Sequence, residues 1–581
     1  MPVSEPTAVT TSVSNLTFRI RRKTYPSPLD WRDQVMYFLL VDRFDNGDPD
    51  PVAYDPASPT APRNVSEGTK FQGGTLNGIT RRLDYIRNLG ATAIWLSPVF
   101  KNRQERDDTY HGYGIQNFLE IDPRFGTKKD LRDLVQKAHA RNMLVILDII
   151  INHTADNWAY PGDQPYYFSR EASAPFDFGF WRQTDPAPGM QDGDAVWPVE
   201  LQHPDCYKRR GQIRNWDNRG EAVDGDFLSL KELDINRPGV LDTLIKTYKY
   251  WIDYADVDGF RIDTVKHMES SATAIFCNAV REYARRIGKH NFFMFGEVVG
   301  DDRLIEEYLG RNARVDGTTE RFPSLDACLD FPLYRDLEDV IKGFRSPTVL
   351  RERYERFHTR YADHGEAGKY FVTFVDNHDQ MYRPYRRFMH GCRYPKQAAL
   401  AIGYLLCAQG IPCIYYGTEQ GFDGGGTHDS HVRECMFGGK WGAFGTTGVH
   451  FFNEQHEIYQ LIRNVARARR LRPALRYGRQ YFREISADGN FFGWPGTGNC
   501  TLAFSRVLDT QEVLIAMNLS SLPRHDTITV DFNLSPPGTI LKDLMNESDT
   551  YTVEGSYGRA YVRVPLEGHQ MAILSQSENT Q

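Results

Sequence analysis

The stretch DLRDLVQKAHARNMLVILDIIINH (residues 130–153) changes its period halfway along. Up to Asn142 it has the apolar spacing of an amphipathic helix; from Met143 it becomes a short continuous apolar run, as a buried strand requires. A helix leading straight into such a strand is one beat of a parallel β/α arrangement. The beat recurs on both sides. LNGITRRLDYIRNLG (76–90) sets Ile79, Leu83, Ile86 and Leu89 at helical spacing, closes on Gly90 and leads into ATAIWLSPVF (91–100). GVLDTLIKTYKYWIDYADVDGFRID (239–263) and SSATAIFCNAVREYARRIGKHNFFMFGEV (270–298) repeat it. Further units end in SLDACLDFP (324–332), KYFVTFVDNHD (369–379) and GIPCIYYGTEQ (410–420). With VMYFLLVDRF (35–44), eight strands are expected, the number that closes a (β/α)8 barrel.

Two regions break the pattern. Residues 154–228 are rich in Trp, Pro, Gly and Asp and too long for a loop, so an inserted subdomain after the third strand is expected. From about residue 478 the runs become short and alternating (NCTLAFSRVL, EVLIAMNLS, TITVDF, AYVRVPL), which predicts a C-terminal antiparallel β-sandwich domain. The expected organisation is therefore a tail or short β segment over 1–29, a TIM barrel built from 30–153 and 229–477, an insert at 154–228, and an all-β domain over 478–581.

The whole chain of 581 residues has an ordinary globular composition, 40% hydrophobic and 25% charged. Its formal net charge of −7 argues against nucleic acid or an anionic membrane as the main partner. The longest apolar run, MLVILDIII (143–151), is too short to span a bilayer and contains Asp148. MPVSEPTAVTTSVSNLTF at the start has neither a basic nor an apolar leader region. The eight cysteines, at 206, 277, 328, 392, 407, 413, 435 and 500, form no C-x-x-C pair and sit largely in apolar contexts; unpaired thiols in a reducing, cytoplasmic compartment are expected.

Function in such barrels gathers at the C-terminal ends of the strands. Asp148, Asn152 and His153 close the third strand, Arg261 and Asp263 the fourth, Glu297 the fifth, and Asp376 to Asp379 the seventh. Arg261 and Asp263 lie two apart in a strand and so share a face, where opposite charges are costly unless paired or used. Taken alone they read as a structural ion pair. Three carboxylates, Asp263, Glu297 and Asp379, meeting at one mouth beside His153 and His378 point instead to catalysis. Paired carboxylates suit glycoside hydrolysis, one attacking the anomeric carbon and one protonating the leaving oxygen. Arg261 is expected to keep Asp263 ionised, and the preceding FFMF to give Glu297 the apolar setting of a general acid.

LDIIINH (147–153), GFRIDTVKH (259–267), GEV (296–298) and FVDNHD (374–379) resemble, in order, the four signature regions of the α-amylase family, glycoside hydrolase family 13. The resemblance covers roughly residues 30–575. It implies Asp263 as nucleophile, Glu297 as acid/base and Asp379 as the residue that distorts the sugar. Arg261, His153 and His378 would contact Asp263 or the sugar, and Lys266 and His267 the leaving-group side. YHGYG (110–114) resembles the family's tyrosine segment, with Tyr113 stacking on the sugar; Gly114 stands where many members have Trp. In THDSHVRE (427–434), Asp429 and Arg433 match a glucose-contacting loop, the alternative being a surface salt bridge.

Calcium is the metal the resemblance implies, held by Asn152, by the carbonyl of His267 and by Glu232, which replaces the usual Asp. DNGDPD (45–50) with Gly73 resembles a second calcium loop through Asn46, Asp48 and the Gly73 carbonyl; a solvated acidic turn is the alternative. The implied substrate is an α-glucan, cut at internal α-1,4 bonds with retention. Transglycosylation is a second reading, disfavoured by Val299, which offers little stacking surface to an acceptor sugar. A non-catalytic glucan-binding barrel is a third, disfavoured by the presence of all three carboxylates. Oligomeric state is left open.

Overall fold

In the computed structural model, which describes residues 11–18, 23–58, 62–171, 173–183, 193–310, 323–360, 366–382, 385–556 and 558–576, eight parallel strands close on themselves. They are β1 Met36–Leu39, β2 Ala93–Leu96, β3 Leu144–Ile149, β4 Gly259–Ile262, β5 Phe293–Gly296, β6 Ala327–Leu329, β7 Phe371–Thr373 and β8 Ile411–Tyr415. Each pairs with its neighbours in sequence, and β1 completes the ring by pairing with both β2 and β8. Every residue of these strands is buried, because helices cover one face and packed side chains fill the other. That is why they read as continuous apolar runs rather than alternating ones. The charged exceptions are Asp148 in β3 and Arg261 in β4, which stand directly opposite each other in the strand register.

The covering helices are α1 Leu83–Leu89, α2 Lys128–His139, α3 Pro238–Ala255, α4 Ser270–Arg286, α5 Asp302–Leu309, α6 Phe331–Ile341, α7 Lys396–Cys407 and α8 Glu457–Leu471. A capping box starts α2: the Thr127 hydroxyl accepts from the Asp130 amide while the Asp130 carboxylate accepts from the Thr127 amide. The single helix expected over 76–90 is divided at Arg82, whose backbone (φ −96°, ψ 7°) separates Leu76–Arg81 from α1. Gly90 closes α1 at φ +108°, a left-handed conformation suited to glycine.

The excursion after β3 leaves and returns through a two-stranded antiparallel neck, His153–Thr154 against Lys231–Glu232. Near the start, residues 11–18 and 23–29 contain the short turn Val13–Asn15 and no strand; Thr11 accepts a hydrogen bond from Val199 of the insert. Residues 1–10 of the expected leaderless start lie outside the described residues.

Beyond residue 478, a six-stranded and a four-stranded antiparallel sheet face each other. Ala503, Leu514, Ala516 and Leu574 of one meet Ile528, Val530, Val562 and Val564 of the other. Alternate residues of the larger sheet, Leu502, Phe504, Val513 and Ile515, join the barrel's own core. Two buried arginines lie at that junction, and one of them, Arg506, bonds across it. Arg469 of α8 donates to the carbonyl of Leu406, and Arg506 of the larger sheet to those of Cys407, Leu475 and Gly478. Both cations thus sit at the C-terminal end of α7, where the helix dipole favours positive charge. Phe491 stays exposed, while Trp494 lies under Arg351 at 4.4 Å. All eight cysteines are unpaired and seven are buried. Among the described residues no helix is long and apolar enough to cross a membrane.

Candidate active site

The C-terminal strand ends open into a cleft of about 670 Å³. Asp263, Glu297 and Asp379 all line it, together with Tyr113, His153, Lys266, His267, His378, Asp429 and Arg433. The ten residues come from segments scattered over more than three hundred positions, and the barrel brings their side chains to one mouth.

Behind the cleft, fully buried, lies Arg261. Its Nη1 donates to Asp148 Oδ1 at 2.9 Å and to Asp263 Oδ1 at 2.7 Å, while Nη2 lies 3.0 Å from Glu297 Oε2. One planar guanidinium therefore hydrogen-bonds one oxygen of Asp263 and faces one of Glu297 as an ion pair, and the other oxygens, Asp263 Oδ2 and Glu297 Oε1, take no hydrogen bond from it. Asp263 Oδ2 lies 3.9 Å from His153 Nε2, which has no hydrogen-bond partner of its own. Asp148, which received no role from the sequence, anchors the fork. It also accepts from Trp95 Nε1 at 3.0 Å and from the Tyr113 hydroxyl at 2.9 Å, which fixes the tyrosine ring.

The setting of Glu297 differs from the apolar one expected. Its Oε2 accepts from the Thr264 amide at 3.0 Å as well as facing Arg261. Thr264 has φ +48°, strained for a β-branched residue, and that turn after β4 aims its amide at Glu297. Nor does Arg261 serve Asp263 alone. Five carboxyl groups (Asp148, Asp263, Glu297, Asp379, Asp429) share two guanidinium ions, Arg261 and Arg433. Burial pushes the Asp263 carboxyl well above its ordinary value; Arg261 opposes the rise, and the charges of Glu297, Asp148 and Asp379 add to it. Burial likewise pushes Asp148 up to about 6.

Asp379 is fixed from the other side. Arg433 Nη2 lies 3.0 Å from its Oδ1, Arg433 Nη1 lies 2.9 Å from Asp429, and Arg433 Nε donates to the His378 carbonyl at 3.0 Å. Arg433 is nearly inaccessible, so the Asp429–Arg433 pair is part of the cleft wall rather than a surface salt bridge. Burial raises Asp379 to about 7, against the pull of Arg433. His378 reaches Asp379 at 3.1 Å and stacks on Tyr113 at 5.3 Å. Burial lowers His153 to about 3 and His267 to about 4, and holds His378 far below the imidazole range, so these rings are neutral donors at neutral pH. The His267 ring packs edge-on against Trp216 and Phe227, which also touch each other, aromatic neighbours from the insert that no motif marked. Lys266 lines the cleft beside it. At Gly114 an added Cβ would meet Asn102 Oδ1 at 3.1 Å and Ala155 Cβ at 3.5 Å, so a larger residue there would have to displace Asn102.

The residues expected to hold calcium do not fit that ion. The Asn152 side-chain amide donates to Glu232 Oε2 at 2.7 Å, and the ammonium of Lys208 stands 3.6 Å from Glu232 Oε1. At the second place, Asn46 and Asp48 bond to each other, the Gly73 amide donates to Asp42, and Arg81 and Arg82 already neutralise the neighbouring Asp45 and Asp50. Among the described residues no group of three or more His, Cys, Asp or Glu side chains is arranged to hold a metal.

A family profile described as the alpha-amylase catalytic domain matches residues 38–437. Among curated proteins, the β/α-amylase of Paenibacillus polymyxa is 32% identical over 89% of this chain and 36% of its own length. The α-amylase of Streptomyces lividans is 33% identical over 72% of this chain and 48% of its own length. The chain thus spans less than half of either relative. A solved Anoxybacillus α-amylase structure superposes with a TM-score of 0.69 at 27% identity, covering 95% of this chain and all of that one. With the barrel closed and the profile matched across most of the chain, the protein belongs to the α-amylase family, glycoside hydrolase family 13.

Proposed function

We propose that the chain is a retaining glycoside hydrolase that cuts internal α-1,4-glucosidic bonds of starch, glycogen or maltodextrin. The observation that carries this reading is the Arg261 fork, which ties back one oxygen of Asp263 and one of Glu297 and leaves one of each for the cleft. Asp263 Oδ2 attacks the anomeric carbon as Glu297 Oε1 passes its proton to the glycosidic oxygen. The C–O bond breaks, the shortened glucan leaves as an alcohol, and a glycosyl ester on Asp263 remains. Glu297, now a carboxylate, takes a proton from water; the water oxygen attacks the anomeric carbon and frees Asp263. Asp379 and the neutral rings of His153 and His378 supply hydrogen bonds to the sugar hydroxyls, with Tyr113 as its apolar platform. Asp429 and Arg433 hold Asp379 in place, and Lys266 and His267 receive the leaving-group side. The acidic balance of the chain supports a neutral glucan, not nucleic acid or a membrane, as partner. Its eight unpaired cysteines support a reducing, cytoplasmic compartment.

The test is the Asp263→Asn variant on soluble starch, with product configuration followed by NMR. Hydrolysis is expected to vanish, glucan binding to persist, and the parent protein to release α-configured ends. Full activity in the variant, or β-configured products from the parent, defeats the assignment. Incubation with maltotetraose separates the transferase reading: products longer than the substrate mean that a sugar hydroxyl, not water, resolves the ester.

A further inference from the structure

Lys208 lies in the insert, and its side chain is about 1% exposed. Buried lysines are rare and need partners. This one donates to the Val223 carbonyl at 2.7 Å and stands within 4 Å of three carboxylates: Glu269 at 3.5 Å, Glu232 at 3.6 Å and Asp224 at 3.9 Å. Its own amide bonds to the Glu232 carbonyl. These partners belong to different pieces of chain. Asp224 ends a helix of the insert, Glu232 sits in the neck strand, and Glu269 caps α4 just past the loop that carries Asp263 and His267. A single ammonium thus joins the insert to the catalytic side of the barrel.

We propose that Lys208 is a built-in cation that takes the place of calcium at this junction, so that the protein folds and works without the metal. A divalent ion on Glu232 and Asn152 would be in near contact with the ammonium and repelled by it. The second expected calcium place follows the same pattern independently. Arg81 and Arg82 converge on Asp45 at 2.8 and 2.7 Å, and Arg81 on Asp50 at 3.0 Å. The break in the helix at Arg82 lies between α1 and Leu76–Arg81, where the two guanidinium groups meet these carboxylates. At both places positive charge comes from the chain itself.

The inference rests on the family expectation of calcium, not on the catalytic assignment, and its readouts are independent of hydrolysis. The full chain is dialysed against excess EDTA, its calcium content is measured by plasma mass spectrometry, and its Tm is compared in EDTA and in excess calcium chloride. Expected are far less than one calcium per chain and Tm values within about 1 °C of each other, because a ligand that binds only the folded state would raise Tm by several degrees. Stoichiometric calcium, or a Tm that drops in EDTA and recovers with calcium, overturns the proposal. Lys208→Met is expected to lower Tm by about 5 °C or more in EDTA, through loss of a buried charge among carboxylates. A Lys208→Met protein as stable as the parent also overturns it. Should that variant fail to fold, Lys208→Arg, which keeps the charge, is expected to fold and to stay indifferent to EDTA; calcium dependence there counts against the proposal.

Discussion

Replacing Asp148 by Asn tests whether the Arg261 fork sets the charge of the proposed nucleophile. Asp148 Oδ2 accepts from Trp95, Tyr113 and Arg261, and Oδ1 from Arg261 alone. An asparagine therefore keeps its carbonyl at the Oδ2 position and turns its NH₂ toward Arg261, donor against donor. The fold is weakened by about 3 kcal/mol, the low end for breaking a buried ion pair, because Arg261 retains Asp263 and Glu297. The charge effect on Asp263 has the opposite sense. Asp148 Oδ1 and Asp263 Oδ1 contact the same Nη1 at 2.9 and 2.7 Å, so they lie no more than about 5.6 Å apart, the sum of those contacts. Two unit charges at that distance repel by about 3 kcal/mol at an effective dielectric constant of 20, or about 2 pK units. Asp148 is among the charges that raise Asp263, so neutralising it lowers the Asp263 value. The acidic limb of kcat/KM, which reports the free protein, moves to lower pH by up to about 2 units. The assay is kcat/KM on a chromogenic maltooligosaccharide across the pH range, beside a melting curve. A limb that stays in place or moves to higher pH refutes the coupling through Arg261.

Three further outcomes are expected. Asp379 is raised to about 7 in the folded chain, so the stability of its protonated form is fully present below the ordinary carboxylate range and is lost as pH rises through 7. Asp379→Asn mimics that form and should stabilise the fold by about 1–2 kcal/mol at alkaline pH, discounted for partial exposure, with the gain gone under acid; calorimetry at both extremes checks it. Tyr113→Phe removes the hydroxyl with its bond to Asp148 and its longer contact with Arg261 and should cost about tenfold in kcat/KM, whereas Tyr113→Ala also removes the ring and should cost about a hundredfold. Val299→Phe adds an aromatic face to the cleft and should raise the ratio of transfer to hydrolysis on maltotetraose; an unchanged product pattern would show that Val299 does not govern the acceptor.

The barrel was legible because its strands are buried on both faces and so write long apolar runs between helical repeats. The cleft was legible because polar residues at the ends of those runs stand out. Pairings across strands were not. Asp148 and Arg261 are 113 residues apart, and only the register of β3 on β4 sets them face to face. The apolar run before Glu297 described its strand and not its carboxyl group, whose surroundings come from a strained turn on the neighbouring unit. Lys208 sits in CYKRR, a stretch without periodicity, and nothing local distinguishes its buried lysine from two arginines beside it.

The arginines under α7 bear on any attempt to trim the protein. Cutting the chain at residue 478 would remove Arg506 and leave the Cys407 carbonyl at the end of that helix facing water at a surface built to be dry. It would also uncover the greasy floor on which Leu502, Phe504, Val513 and Ile515 now rest. A shortened barrel of this kind should be recovered as aggregate, and a soluble miniature would first need that floor repainted with polar side chains.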